Sequence, residues 1–292
     1  MSKLVVVGTV AFDKIETPFG KTDKILGGAG TYIGLAAKKF GIDTAIVSVI
    51  GGDFPEEYIN IFKERDINIE GLKMVEDGKT FFWSGRYHND MNSRDTLDTQ
   101  LNVLADFQPV VPASYKDAKI VMLGNLHPLV QLSVIEQMEN PELVVLDTMN
   151  FWMDNALEDL KKVIAKVDVI TINDEEARQL SGEYSLVKAA REIEKMGPKY
   201  VVIKKGEHGA LLFHQNEMFF APALPLEEVF DPTGAGDTSF KNMKNAIIYG
   251  SNLASFCVEK FGTERMLNLT DKEIDERLKT FKALTQFKIS LD

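Results

Sequence analysis

The heptapeptide Asp231-Pro232-Thr233-Gly234-Ala235-Gly236-Asp237 offers three successive backbone amides and a carboxylate, a set that could hold an anion and deprotonate a hydroxyl. Gly234 and Gly236 carry no Cβ, so the N–H groups around them can turn toward one anion. A helix starting just beyond would add the positive end of its dipole. Asp237 would then lie beside that anion. A carboxylate in such a place is electrostatically costly, and general-base duty toward an attacking hydroxyl is a reason for it to be there. The chemistry these residue types suggest is phosphoryl transfer; the plainer alternative is an ordinary glycine turn.

Such a site needs rigid elements to position it. Short apolar runs rich in Val and Ile, at Leu4–Val7, Thr44–Ile50, Ile120–Leu123, Leu143–Leu146, Val167–Ile172 and Tyr200–Ile203, read as buried strands. Between them Thr31–Phe40, Glu56–Glu64, Leu129–Met138, Leu157–Ala165, Glu175–Leu180 and Leu186–Met196 place apolar residues at helical spacing. Strand and helix in alternation predict an α/β fold, a doubly wound, mostly parallel sheet with helices on both faces. Ala11–Lys24 and Thr80–Val110 break the pattern, mixing polar residues with Phe81, Phe82, Trp83 and Tyr87. A stretch near thirty residues long is unusual as a bare loop, so these two segments are expected to form a small β-sheet lid.

At 292 residues the chain suits one large domain with a substantial core, and 45% apolar and 26% charged residues are ordinary for a globular protein. A net charge of -11 argues against nucleic-acid or anionic-membrane partners, which demand clustered Lys and Arg. Cys257 is the sole cysteine and can form no intrachain disulfide, which fits a reducing cytoplasm. No run approaches the roughly eighteen apolar residues of a membrane span, and the start Met1-Ser2-Lys3 leads into a strand, so neither secretion nor anchoring is expected.

Two further clusters could bind ligands. Gly27-Gly28-Ala29-Gly30 precedes a helix and would let a ligand approach the backbone closely, but its spacing is not GxGxxG and it follows a polar turn, which argues against a dinucleotide site. Asn173-Asp174-Glu175-Glu176 joins a buried strand to a helix, where open α/β sheets bind ligands. Helix capping explains Asn173, and dipole complementarity explains the acids. With a phosphate site nearby, Glu176 could instead hold Mg²⁺ directly or through water, since that ion needs only one or two carboxylates.

In this order the motifs resemble the ribokinase, or PfkB, family of carbohydrate and nucleoside kinases, over essentially the whole chain. The matching features are the early strand ending near Asp13, GGAG before a helix, the Gly52-Asp53 turn, Asn-x-x-Glu at Asn173 and Glu176, and the late DPTGAGD. The resemblance implies one ribokinase-like domain over 1–292 with lid segments at 11–24 and 80–110, and transfer of the ATP γ-phosphate to a hydroxyl of a sugar, nucleoside or related small molecule. It implies Asp237 as base and Gly234, Ala235 and Gly236 as anion hole. Asn173 and Glu176 would organise Mg²⁺ and phosphate, and Asp13, Gly27 and Gly28 would face the substrate. Thr233, the Lys204-Lys205-Gly206 loop and the neighbourhood of Asn245 would lie on the nucleotide side. Exposed lid edges would allow a homodimer. Tyr32 stands where the family commonly has asparagine, and would either stack on a substrate ring or pack in its helix. Asp237-Thr238 runs straight into Ser239–Met243, where the family has a glycine-containing helix about fifteen residues long with its turn. Either Phe240–Val258 supplies the missing helix end, or the segment has been left out of the chain. A kinase-fold sensor that binds ligand without efficient transfer is the competing expectation.

Overall fold

The computed structural model describes residues 3–89, 91, 93–226 and 243–286. In chain order the first elements are β1 (Lys3–Val7), β2 (Ala11–Thr17), β3 (Gly20–Lys21), β4 (Ile25–Gly27), α1 (Ala29–Lys39), β5 (Asp43–Gly51), α2 (Glu56–Lys63), β6 (Asn68–Val75), β7 (Phe82–Tyr87) and β8 (Arg94–Gln100). There follow β9 (Ile120–Leu123), α3 (Pro128–Gln137), β10 (Leu143–Asp147), α4 (Asn150–Asn155), α5 (Leu157–Ile164), β11 (Val169–Asn173), α6 (Asp174–Ser181), α7 (Leu186–Glu194) and β12 (Tyr200–Lys204). The last are β13 (Ala210–His214), β14 (Glu217–Ala221), α8 (Met243–Cys257), α9 (Glu264–Asn268) and α10 (Asp271–Thr285).

Nine strands form a large sheet in the order β14-β13-β12-β11-β10-β9-β1-β5-β6, parallel throughout except for the β12-β13-β14 meander at one edge. Its strands read as unbroken apolar runs because both faces are covered. The alternation within β1 shows how: Val5 and Val7 enter a core with Leu160, Val163 and Ala189 of α5 and α7, while Leu4 and Val6 face Ile33 of α1 and Ile247 of α8. Each fully buried aliphatic side chain contributes about 1.5–3 kcal/mol, so this two-sided burial fixes the strand ends that carry chemistry.

A second sheet, in the order β3-β2-β7-β8 with β4 also on β2, takes β2, β3, β7 and β8 from the two segments that break the α/β alternation and β4 from just beyond the first of them. Its Phe12 and Phe82 pack with Phe54 and Leu26, anchoring it beside α2. The chain after Gln100 returns to the large body, where Phe107 and Val111 are buried in the main core. Entry to β7 is pinned by Asp53, whose Oδ1 accepts hydrogen bonds at 2.7 Å from both the amide and the hydroxyl of Thr80. The Gly52-Asp53 turn is thus an anchor between the two sheets.

Candidate active site

Strand order reverses direction around β1: the chain first adds β5 and β6 on one side, then β9 to β12 on the other. Open α/β sheets bind ligands in the crevice beyond the carboxyl ends of strands at such a point. Just past β1, Thr9 organises the start of α1, its Oγ1 accepting from the Ala29 amide at 3.1 Å and its carbonyl from the Gly30 amide at 2.9 Å. This tight approach requires glycine at position 28, where φ is +92° and a Cβ would come within 2.3 Å of the Thr9 carbonyl oxygen. One residue earlier, a Cβ on Gly27 would lie 1.9 Å from Oδ2 of Asp13. The Asp13 carboxylate therefore rests against the bare Cα of Gly27 and is only 5% exposed. Asp13, Gly27 and Gly28 are brought together by the pairing of β2 with β4. Tyr32, one turn into α1, is 3% exposed and belongs to that helix's buried face.

On the other side of β1 the carboxyl ends of β10, β11 and β12 carry a row of polar residues. Asn173 pairs in register with Lys204, and Asp147 pairs with Thr171. Lys204 Nζ lies 3.0 Å from Asp147 Oδ1, tying the end of β12 to that of β10 across β11. Asn173 caps α6 through a reciprocal pair: its Oδ1 accepts from the Glu176 amide at 2.8 Å, and its own amide donates to Glu176 Oε2 at 2.7 Å. Capping thus accounts for this motif locally. It also leaves Glu176 6% exposed, with burial pushing its carboxyl pKa upward. The charges of Lys204 and Arg94 and the Asn173 amide oppose that rise, and the negative Asp147 adds to it.

A buried carboxyl held against its charged state is one that a dication would relieve, and Asp147 nearby supplies a second hard oxygen donor. The residues present therefore fit Mg²⁺ bound through one or two carboxylates, water and phosphate. Among the described residues no group of three or more His, Cys, Asp or Glu side chains is placed to hold a metal ion. Lys205 and Gly206 begin the tight turn from β12 to β13, with the Lys205 amide donating to the Gly209 carbonyl at 2.8 Å. Asn245 is exposed in the first turn of α8. Thr233, Gly234, Ala235, Gly236 and Asp237 lie outside the described residues, as do Asp231 and Pro232.

Sequence reasoning missed Asp147 and Arg94. Asp147 had a legible signal, since it directly ends the apolar run Leu143–Leu146 as Asn173 ends another. Arg94 had none. It stands at the start of β8 in the small sheet, and only the fold brings its charge within range of Glu176.

The model of the pfkB family carbohydrate kinases matches residues 1–270. The chain belongs to that family. Like its members it is a phosphotransferase with a hydroxyl acceptor. Among its relatives is a cytidine kinase of Thermococcus kodakarensis, 30% identical over an alignment of 243 residues that covers 81% of this chain and 85% of the relative. The fold is similar to that of the nucleoside kinase of Methanocaldococcus jannaschii, an archaeal ribokinase-family member, with a TM-score of 0.77 at 22% identity over 96% of this chain and 99% of that one. A ribokinase from Thermotoga maritima superposes equally well, with a TM-score of 0.77 at 20% identity over 96% of this chain and all of its own. Among the described residues no helix is long and apolar enough to cross a membrane.

Proposed function

We propose that this kinase uses ATP to phosphorylate a hydroxyl of a nucleoside or a closely related sugar, with Asp237 as general base. The observation that carries the reading is a set of strand ends: Asp147, Asn173 and Lys204 close β10, β11 and β12, while just past β1 Thr9 holds the start of α1, next to Gly27, against which the Asp13 carboxylate rests. Four strand spacings of roughly 4.8 Å separate β1 from β12, so acceptor and donor would lie along a crevice about 19 Å long. The cytidine kinase relative favours a nucleoside as acceptor.

In this mechanism Asp13 accepts hydrogen bonds from acceptor hydroxyls and orients the sugar, and the bare backbone of Gly27 and Gly28 lets it approach. Asp237 takes the proton of the attacking hydroxyl as its oxygen bonds to the γ-phosphorus. The bond from that phosphorus to the β,γ-bridging oxygen breaks, and ADP leaves with the electron pair. The amides of Gly234, Ala235 and Gly236 face the equatorial oxygens as their charge shifts. Asn173, Glu176, Lys204, Lys205 and Gly206, together with Thr233 and Asn245, form the donor side. Mg²⁺, when bound near Glu176, neutralises phosphate charge. The loose transition state asks for positioning more than for a strong base, so an ordinary aspartate suffices. Approach of the small sheet would exclude water from the reacting phosphate.

Nucleosides and sugars incubated with the enzyme and Mg-ATP, monitored for ADP, test the proposal. Acceptor-dependent ADP release with a phosphorylated nucleoside is expected. Saturable ligand binding without ADP release would replace the kinase reading with that of a sensor.

A further inference from the structure

One buried polar side chain between the two halves of the crevice has no part in the reaction above. The register between β9 and β10 ends at Leu123 with Leu146, and the next residues, Gly124 and Asp147, lie where these two strands stop pairing. Gln131, on the buried face of α3 between Pro128 and Val134, reaches both of them. Its Nε2 donates to the Gly124 carbonyl at 2.8 Å and to the Asp147 carbonyl at 3.1 Å, so one side-chain amide joins two strand ends. On the acceptor side, Gly124 donates its own amide to the Val7 carbonyl at 2.6 Å. A Cβ on Gly124 would come within 3.3 Å of Gly8 Cα and of Cβ of Ala29, the residue after Gly28. On the donor side, the Asp147 carboxylate is fixed by Lys204 and by the Thr171 hydroxyl, which lies 3.3 Å from its Oδ1. The other end of the Gln131 amide is left over: Oε1 is buried with no hydrogen-bond partner among the described residues. An apolar side chain of the same length would fill the place without burying an unpaired oxygen, so packing alone does not call for an amide there.

We infer that Gln131 is a positioning residue, a cross-tie that sets the spacing between the acceptor half of the crevice, at the ends of β1 and β9, and the donor half, at the ends of β10 to β12. The inference rests on the kinase reading and deepens it by naming what keeps the two halves in line. Each half has bonds of its own, Gly124 to Val7 and Asp147 to Thr171 and Lys204, so loss of the tie leaves both able to bind. What it loosens is their relative placement. In-line transfer depends on that placement, because about 1 Å of misplacement costs roughly a hundred-fold in rate. With the acceptor hydroxyl off line, water attacks the γ-phosphorus in its stead. The bond to the β,γ-bridging oxygen then breaks as before, and ADP and inorganic phosphate are the products.

Gln131→Met keeps the length and removes both donors. With a nucleoside that the wild type phosphorylates, its kcat for acceptor phosphorylation should fall by about ten- to hundred-fold, while the KM values for acceptor and Mg-ATP stay near those of the wild type. Inorganic phosphate released per phosphorylated acceptor should rise, a ratio that a smaller folded fraction does not change. Gln131→Glu keeps the length too, and its neutral form keeps one donor. Its product ratio should worsen as pH rises and the carboxylate comes to face two carbonyl oxygens. If the wild type transfers phosphate but Gln131→Met holds its kcat within about threefold, or loses kcat with the product ratio unchanged, the tie is wrong and the kinase stands. Should Gln131→Met fail to fold, a Gln131→Glu enzyme with the wild-type product ratio at every pH overturns the tie on its own. A wild type that phosphorylates no acceptor overturns the kinase reading and the tie with it.

Discussion

Replacing Gly27 with alanine probes the substrate side with the least chemical change. The added methyl would sit 1.9 Å from Asp13 Oδ2 and 2.3 Å from its Cγ, whereas ordinary contact begins at 3.4 Å, so relief requires a shift of 1.5 Å. The backbone of β2 cannot readily yield, because β4 and β7 hold it from both sides. The carboxylate must rotate out of place instead. Overpacking of this kind costs about 1–3 kcal/mol of stability. Loss of one hydrogen bond from an acceptor hydroxyl to an ionised carboxylate costs a further ~1.5–3 kcal/mol in transition-state binding. The second figure corresponds to a fall in kcat/KM of roughly ten- to hundred-fold. Steady-state kinetics with the acceptor varied at saturating Mg-ATP measures it, and thermal unfolding confirms that the variant is folded. The KM for Mg-ATP should not move. A folded Gly27→Ala enzyme with kcat/KM within threefold of the wild type would show that Asp13 does not position the acceptor.

Glu176→Gln keeps an oxygen for the Asn173 amide but loses the charge, so it should raise the Mg²⁺ concentration needed for half-maximal activity several-fold while leaving acceptor KM unchanged; a titration of free Mg²⁺ at fixed ATP measures this. Away from the site, the Thr270 hydroxyl and then Arg265 hold the Glu273 carboxyl well below its ordinary 4.5, at about 2. Because the folded value is the lower one, its stabilising contribution is complete above pH 4.5 and is lost as pH falls from there to about 2. Calorimetric melting across that window should show the wild type losing more stability than Glu273→Gln, and parallel curves would contradict the assignment.

The parallel core was legible because two-sided burial writes itself as continuous apolar runs: Leu4–Val7 and Ile120–Leu123 fall within or coincide with β1 and β9. Elements with weaker burial were not. β6 is an edge strand of mostly half-exposed residues, and β13 and β14 form an edge hairpin in which Met218 and Phe220 face solvent. In α10 only Ile274 and Phe281 are buried, too sparse a stripe to announce a helix. At the site, Asn173 and Glu176 were readable because a capping box is a local pattern. The contact of Asp13 with Gly27 was not, since it arises from pairing of β2 with β4 after a turn.

The central claim, general-base catalysis by Asp237, is tested most directly by ADP release from Asp237→Asn with an accepted nucleoside, alongside equilibrium binding of ATP. Turnover should fall by two to four orders of magnitude, the usual worth of a general base, with nucleotide affinity largely preserved. An Asp237→Asn enzyme that keeps near-normal kcat would contradict the account.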